Sequence, residues 1–99
     1  DERFARLFIE SRLNKRRKGP YLILSDLQQR GISREIAQPL LEERTDRGFW
    51  LNRIRDNLED LCKTGKKNKR SALGQKLFQR GFSHDFIEIV LSEKGIGEY

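Results

Sequence analysis

The stretch LQQRGISREIAQPLLEE, Leu27 to Glu43, recurs fifty residues later as LFQRGFSHDFIEIVLSE, Leu77 to Glu93, without a gap. Identities fall at Leu27/Leu77, Gln29/Gln79, Arg30/Arg80, Gly31/Gly81, Ser33/Ser83, Leu41/Leu91 and Glu43/Glu93. These are seven of seventeen positions, where ordinary residue usage gives about one by chance. Ile32/Phe82, Glu35/Asp85, Ile36/Phe86 and Leu40/Val90 keep the chemistry. The chain therefore reads as a duplication.

Each copy predicts a helix, a tight turn and a second helix. Arg30-Gly31 and Arg80-Gly81 place a cation in a last helical turn and a glycine where the backbone must turn left-handed. Ser33 and Ser83 then stand at N-cap positions, where a hydroxyl accepts from a free amide for roughly 1 kcal/mol, with Glu35 and Asp85 facing the positive end of the next helix. Phe82 and Ile87 are spaced as a hydrophobic staple.

Outward from the turns, a longer amphipathic helix precedes each. From Arg3 to about Arg17, Phe4, Leu7, Phe8 and Leu13 recur near the helical period; from Trp50 to Lys63, Leu51, Ile54, Leu58 and Leu61 do the same. The second helices are expected over Pro20 to Arg30 and Lys69 to Arg80, with Pro20 in a first turn, where its missing amide hydrogen is harmless. Pro39 predicts a kink inside the helix begun at Ser33. The fold class is thus all-α, a tandem repeat of two three-helix units, 1–46 and 47–99.

Composition bounds the function. The chain has 99 residues, enough for one shared core rather than two independent ones. Its 21 Lys and Arg against 15 Asp and Glu leave a net charge of +6, which favours an anionic partner. Cys62 stands alone, so no intrachain disulfide can form, and a cytoplasmic location is expected. No apolar run approaches the ~18 residues that span a bilayer, and no apolar signal segment follows Asp1, so no membrane contact is expected.

Two basic clusters occupy equivalent connectors. Lys15, Arg16, Arg17 and Lys18 form the first, with Arg12 just before it; Lys63, Lys66, Lys67, Lys69 and Arg70 form the second. Dense positive charge there can grip phosphates or acidic side chains, although charge runs in short loops are also found merely solvated. Other candidates weigh less. His84 lacks a Cys or His at ligand spacing and reads as a surface residue at a helix start; Cys62 reads as a small buried hydrophobe. Gly65-Lys66 lacks the upstream glycine and following hydroxyl of a phosphate loop, so no nucleotide, cofactor or small-molecule substrate is called for. Phe49 and Trp50 are expected to seal the junction between units. No catalytic set is evident.

The order of helices, connectors and Arg-Gly-(Ile/Phe)-Ser turns resembles the RecX family of bacterial recombination regulators over nearly the whole chain. Asp1, Arg3, Phe4, Ala5, Phe8, Ser11 and Arg12 are similar to that family's D-x-R-F-A-x-x-F-x-x-S-R opening, followed by Gly19-Pro20, Ile23, Leu27 and Gly31-Ile32-Ser33. Gln79-Arg80-Gly81-Phe82-Ser83, with Ile87 and Val90-Leu91, resembles its closing segment. The resemblance implies a non-enzymatic modulator that lodges in the groove of the RecA filament, restrains its growth and damps recombination and the DNA-damage response. It also implies a further three-helix unit ahead of these two. The family's K-G-aromatic-G-P connector appears here as Arg16-Arg17-Lys18-Gly19-Pro20, with a glycine and an aromatic replaced by charge. The alternative is a basic DNA-binding module of little sequence specificity, since the third helices offer few base-reading side chains beyond Arg34 and Gln38.

Overall fold

A computed structural model describes residues 2–63 and 69–97. Six helices follow one another: α1 Glu2–Leu13, α2 Pro20–Gln29, α3 Arg34–Arg44, α4 Arg47–Cys62, α5 Arg70–Gln79 and α6 His84–Glu93. No strand occurs among the described residues. Helices α1, α2 and α3 pack on one another, as do α4, α5 and α6, and the two units lie along a rod of 47 × 20 × 19 Å.

The duplication is visible in the core. Ile23, Leu27, Ile32, Ala37, Leu40 and Leu41 are buried in the first unit, and fifty residues later Leu73, Leu77, Phe82, Ile87, Val90 and Leu91 are buried in the second. The first helices correspond too, shifted by one residue because the second connector is one residue longer. Ala5 and Ile9 of α1 match Ile54 and Leu58 of α4 in burial. Arg6 of α1 reaches Glu43 of α3 at 3.5 Å, and Arg55 of α4 holds Glu93 of α6 at 2.5 and 2.9 Å. The glutamate shared by the two copies thus ties the third helix to the first in both units.

The Arg-Gly turns are Schellman motifs. Gly31 and Gly81 have φ of 85° and 94°; the Ile32 and Phe82 amides donate to the carbonyls of Leu27 and Leu77, and the glycine amides donate to Gln28 and Phe78. The same motif recurs after α6, where Gly95 has φ of 67° and the Ile96 amide donates to Leu91. Ser83 caps α6 by accepting from the Phe86 amide at 3.3 Å, and Phe82 and Ile87 of the expected staple are both buried. Ser33 occupies the N-cap of α3 without a side-chain bond, so its cap is backbone geometry alone.

Two further expectations are corrected. Helix α1 stops at Leu13, because the Lys15 amide turns back to the Arg12 carbonyl and Lys18 to Lys15, closing tight turns instead of prolonging the helix. Its buried arc is Ala5, Phe8 and Ile9, one residue round from the Phe4, Leu7, Phe8 stripe, leaving Phe4 44% and Leu7 63% exposed. Helix α3 runs through Pro39 to Arg44, with Pro39 on its exposed side.

Candidate binding surface at the junction of the units

The units meet backbone to backbone. The Gly19 amide donates to the Arg80 carbonyl at 2.7 Å and the Tyr21 amide to the Gly81 carbonyl at 3.0 Å. The free amides of α2's first turn thereby find acceptors at the C-terminal end of α5, where the two helix dipoles present opposite signs. Contact this close requires glycine on both sides. A Cβ on Gly19 would lie 2.4 Å from the Gly81 carbonyl carbon, and one on Gly81 would lie 2.7 Å from both the Leu22 amide nitrogen and Cγ.

Asn57 of α4, 1% exposed, is the polar centre of this junction. Its amide nitrogen donates to the carbonyls of Arg16 and Arg53, both at 2.8 Å, while its oxygen accepts from Arg80 Nη1 at 2.6 Å. One buried side chain thus joins the first connector, α4 and the second turn, with both of its amide ends satisfied. Arg53 adds a bond to the Lys15 carbonyl at 3.3 Å and stacks over Phe49 at 4.8 Å.

Four guanidinium groups gather here, with Lys15 next to them in the chain. The side chains of Lys15, Arg16 and Arg17 are exposed, and those of Arg53 and Arg80 are half-buried beside them. Burial pushes the Arg80 guanidinium below its ordinary value and the positive charge of Arg17 pushes it further, against the opposing pull of Asp60. Burial likewise lowers Arg53, with Asp56 opposing and Arg16 adding to the shift. Arg16 reaches Asp56 only at 4.0 Å, with both side chains more than half exposed. The junction therefore gathers Arg16, Arg17, Arg53 and Arg80 with Asp56 and Asp60 among them, leaving positive charge in excess. The four guanidinium groups are planar forks suited to carboxylate or phosphate.

The remaining cations separate into two groups. Arg12 and Lys18 converge on Asp26 at 3.5 and 2.8 Å, and Arg12 also lies over the Phe8 ring at 4.1 Å. Partial burial raises the Asp26 carboxyl, but the Lys18 hydrogen bond and the charges of Lys18 and Arg12 outweigh it, holding the group below its ordinary value. Arg70 clamps α5 to α6 through the Glu88 carboxylate, the Ser92 hydroxyl at 2.9 Å and the Ile96 carbonyl at 2.9 Å. Arg12, Lys18 and Arg70 are thus engaged in internal ties. Lys63 lies 3.8 Å from Glu59 on the surface and Lys69 is exposed at the N-cap of α5. Lys66 and Lys67, with the Gly65-Lys66 reading, lie outside the described residues.

Cys62 is exposed, not buried. It follows the half-buried Leu61 by one position, and about 100° of helical rotation carries it past the stripe of Ile54, Leu58 and Leu61. His84 is exposed at the start of α6, stacked on Phe78 with ring centroids 4.2 Å apart. Trp50 is buried between the units, lining a cleft of about 350 Å³ with Tyr21, Leu24 and Leu41 on one side and Phe86 on the other. Phe49, edge-on to Trp50 at 4.9 Å, stays half-exposed under Arg53. Among the described residues no group of three His, Cys, Asp or Glu could hold a metal ion, and no helix is long and apolar enough to cross a membrane.

Helical units stacked end to end and joined at a guanidinium-rich junction define a tandem three-helix repeat protein. The comparisons sharpen this. Residues 1–41 match the family model described as RecX, second three-helix domain. The chain is 29% identical to Regulatory protein RecX of Geobacillus thermodenitrificans, covering 94% of this chain and 36% of that protein. It is 31% identical to that of Lactobacillus johnsonii, covering 94% and 35%, and 30% identical to that of Listeria welshimeri, covering 89% and 30%. The chain belongs to the RecX family, and it spans about a third of the length of the curated relatives it matches. No solved structure matches it significantly.

Proposed function

We propose that this chain is a non-enzymatic regulator acting in the cytoplasm, which binds the RecA recombinase filament and restrains its growth and activity. The curated relatives, each named Regulatory protein RecX, support the regulatory role. The observation that carries the mode of action is the junction, where Arg16 and Arg17, with the exposed Lys15 beside them in the chain, meet Arg53 of α4 and Arg80 of the second turn. We assign the partner contact to this cluster, extended by Lys63, Lys69 and the sequence-adjacent Lys66 and Lys67. Arg12 and Lys18 act indirectly, by fixing the first connector through Asp26, and Arg70 by tying α5 to α6.

The geometry makes the assignment separable from folding. Lys15 and Arg16 hold the junction through their carbonyls, which accept from Arg53 and Asn57, so replacing their side chains leaves those bonds in place. The triple substitution Lys15→Ala, Arg16→Ala, Arg17→Ala should weaken partner binding and flatten its salt dependence, because fewer counterions are displaced. The melting temperature should stay within a few degrees, as expected for surface changes.

The test is RecA ATP hydrolysis on single-stranded DNA, followed with and without the chain. Suppression that the triple variant loses supports the reading; no effect at stoichiometric excess ends it. Tight binding to duplex or single-stranded DNA without RecA, with no action on RecA, would favour the DNA-binding module instead. Arg34 argues against that module as a sequence reader, since its guanidinium is bonded to Gln38 at 3.1 Å and the two base-reading candidates of α3 occupy each other.

A further inference from the structure

The basic junction is not the only surface built where the units meet. Tyr21, Leu24 and Leu41 of the first unit face Trp50 and Phe86 of the second across the cleft of about 350 Å³. The cleft continues past Glu42, Thr45, Trp50 and Phe86 into a second hollow of about 400 Å³ that reaches Asp46 and Arg47. Each volume falls within the roughly 300 to 1,000 Å³ of sites that hold a ligand. Together they form one groove, and none of Lys15, Arg16, Arg17, Arg53 and Arg80 lines it. Its lining is largely hydrocarbon: Leu24, Leu41 and Trp50 are buried, while Tyr21 stays 45% exposed. The groove is also preformed, because the Tyr21 amide is bonded to the Gly81 carbonyl at 3.0 Å and holds the two walls at a fixed spacing.

The charges along the groove run against the excess of the chain. Eight carboxylates elsewhere lie within 4.0 Å of a lysine or arginine. By contrast Glu42 of α3 and Asp85 of α6, both lining the groove, have no ion pair and no side-chain hydrogen bond among the described residues. Asp46 is engaged only with the Phe49 amide. The two cations that share the groove do not serve them, since Arg34 is bonded to Gln38 at 3.1 Å and Arg47 lies over the Phe86 ring at 5.3 Å. In a chain of net charge +6, three carboxylates without a cation around an apolar groove are the complement of a positively charged, partly apolar segment. The same carboxylates disfavour a nucleic-acid phosphate there.

We propose that this groove docks a short segment of a partner protein in which a bulky apolar side chain is flanked by lysine or arginine. The apolar side chain enters between Tyr21, Leu24 and Trp50, leaving water for hydrocarbon, and the flanking cations reach Glu42 and Asp85. This inference does not depend on what the basic junction binds.

Trp50 is the only tryptophan of the chain, so its fluorescence reports on the groove directly. The probes are end-blocked peptides Lys-Arg-X-Lys-Arg, with X as Leu, Met or Phe, titrated into the full chain and mapped by NMR. Docking predicts a saturable change in Trp50 emission, with shifts centred on Tyr21, Leu24, Leu41 and Phe86 and binding that weakens as salt is added. A serine at X in the peptide, or Glu42→Gln with Asp85→Asn in the chain, should weaken binding about tenfold or more. Both carboxylates are exposed, so that variant should melt within a few degrees of the unaltered chain. Unchanged Trp50 emission at millimolar concentration of all three peptides overturns the inference, as do shifts confined to other surfaces or equal binding of Glu-Glu-Leu-Glu-Glu. A chain that sediments alone as a dimer, with Trp50 emission changing on dilution, also overturns it, because the groove then belongs to a second copy.

Discussion

Gly19 has an ordinary extended backbone, with φ of −85° and ψ of 175°, so its value lies in the missing Cβ and not in conformational freedom. Gly19→Ala should force the two units apart and destabilise the fold by about 1 to 3 kcal/mol, the usual range for overpacking, as measured by chemical denaturation. Asn57→Ala removes partners from the half-buried Arg80 guanidinium and from the Arg16 and Arg53 carbonyls and should cost about as much, in the range for orphaned buried polar groups. Asp26 gives a pH-dependent prediction. Its carboxyl titrates lower in the folded chain than its ordinary 3.8. Its contribution is therefore complete above that value and fades as the pH falls through it and through the lower folded pKa. Asp26→Asn should lower the melting temperature at neutral pH, and the gap to the unaltered chain should narrow below about pH 4.

At the scale of elements, the repeated turns carry different loads. Gly31→Ala meets only the left-handed backbone penalty, about 1 to 2 kcal/mol, because its surroundings are open. Gly81→Ala adds an overlap with Leu22 and should be the more destabilising of the pair in parallel thermal melts. Leu58→Ala, in the packed face of α4, should cost roughly 2 to 5 kcal/mol through the cavity it leaves. The helices and turns were legible in the sequence because Arg-Gly followed by Ser is a local signal that needs no tertiary context. The face of α1 was not, since periodicity alone cannot separate a stripe through Phe4 and Leu7 from one through Ala5 and Ile9, a rotation of a single position. Likewise Lys15, Arg16 and Arg17 announced themselves as a charge run, whereas Arg53 and Arg80 lie far along the chain and look like ordinary solvated residues. Asn57 carried the one available clue, a polar side chain inside the apolar stripe of Ile54, Leu58 and Leu61.

Across the whole molecule, a narrow rod gathers Arg16, Arg17, Arg53 and Arg80 where its two units interlock through glycines and a buried asparagine. This arrangement holds Arg17 and Arg80 together from distant parts of the chain, and it would be lost if either unit acted alone. The most direct measurement is co-sedimentation with RecA assembled on single-stranded DNA, comparing the unaltered chain with the variant lacking the Lys15, Arg16 and Arg17 side chains. The account predicts that the unaltered chain pellets with the filament and that the variant, equally stable, stays largely in the supernatant. Equal pelleting of the two proteins across a range of salt would contradict it.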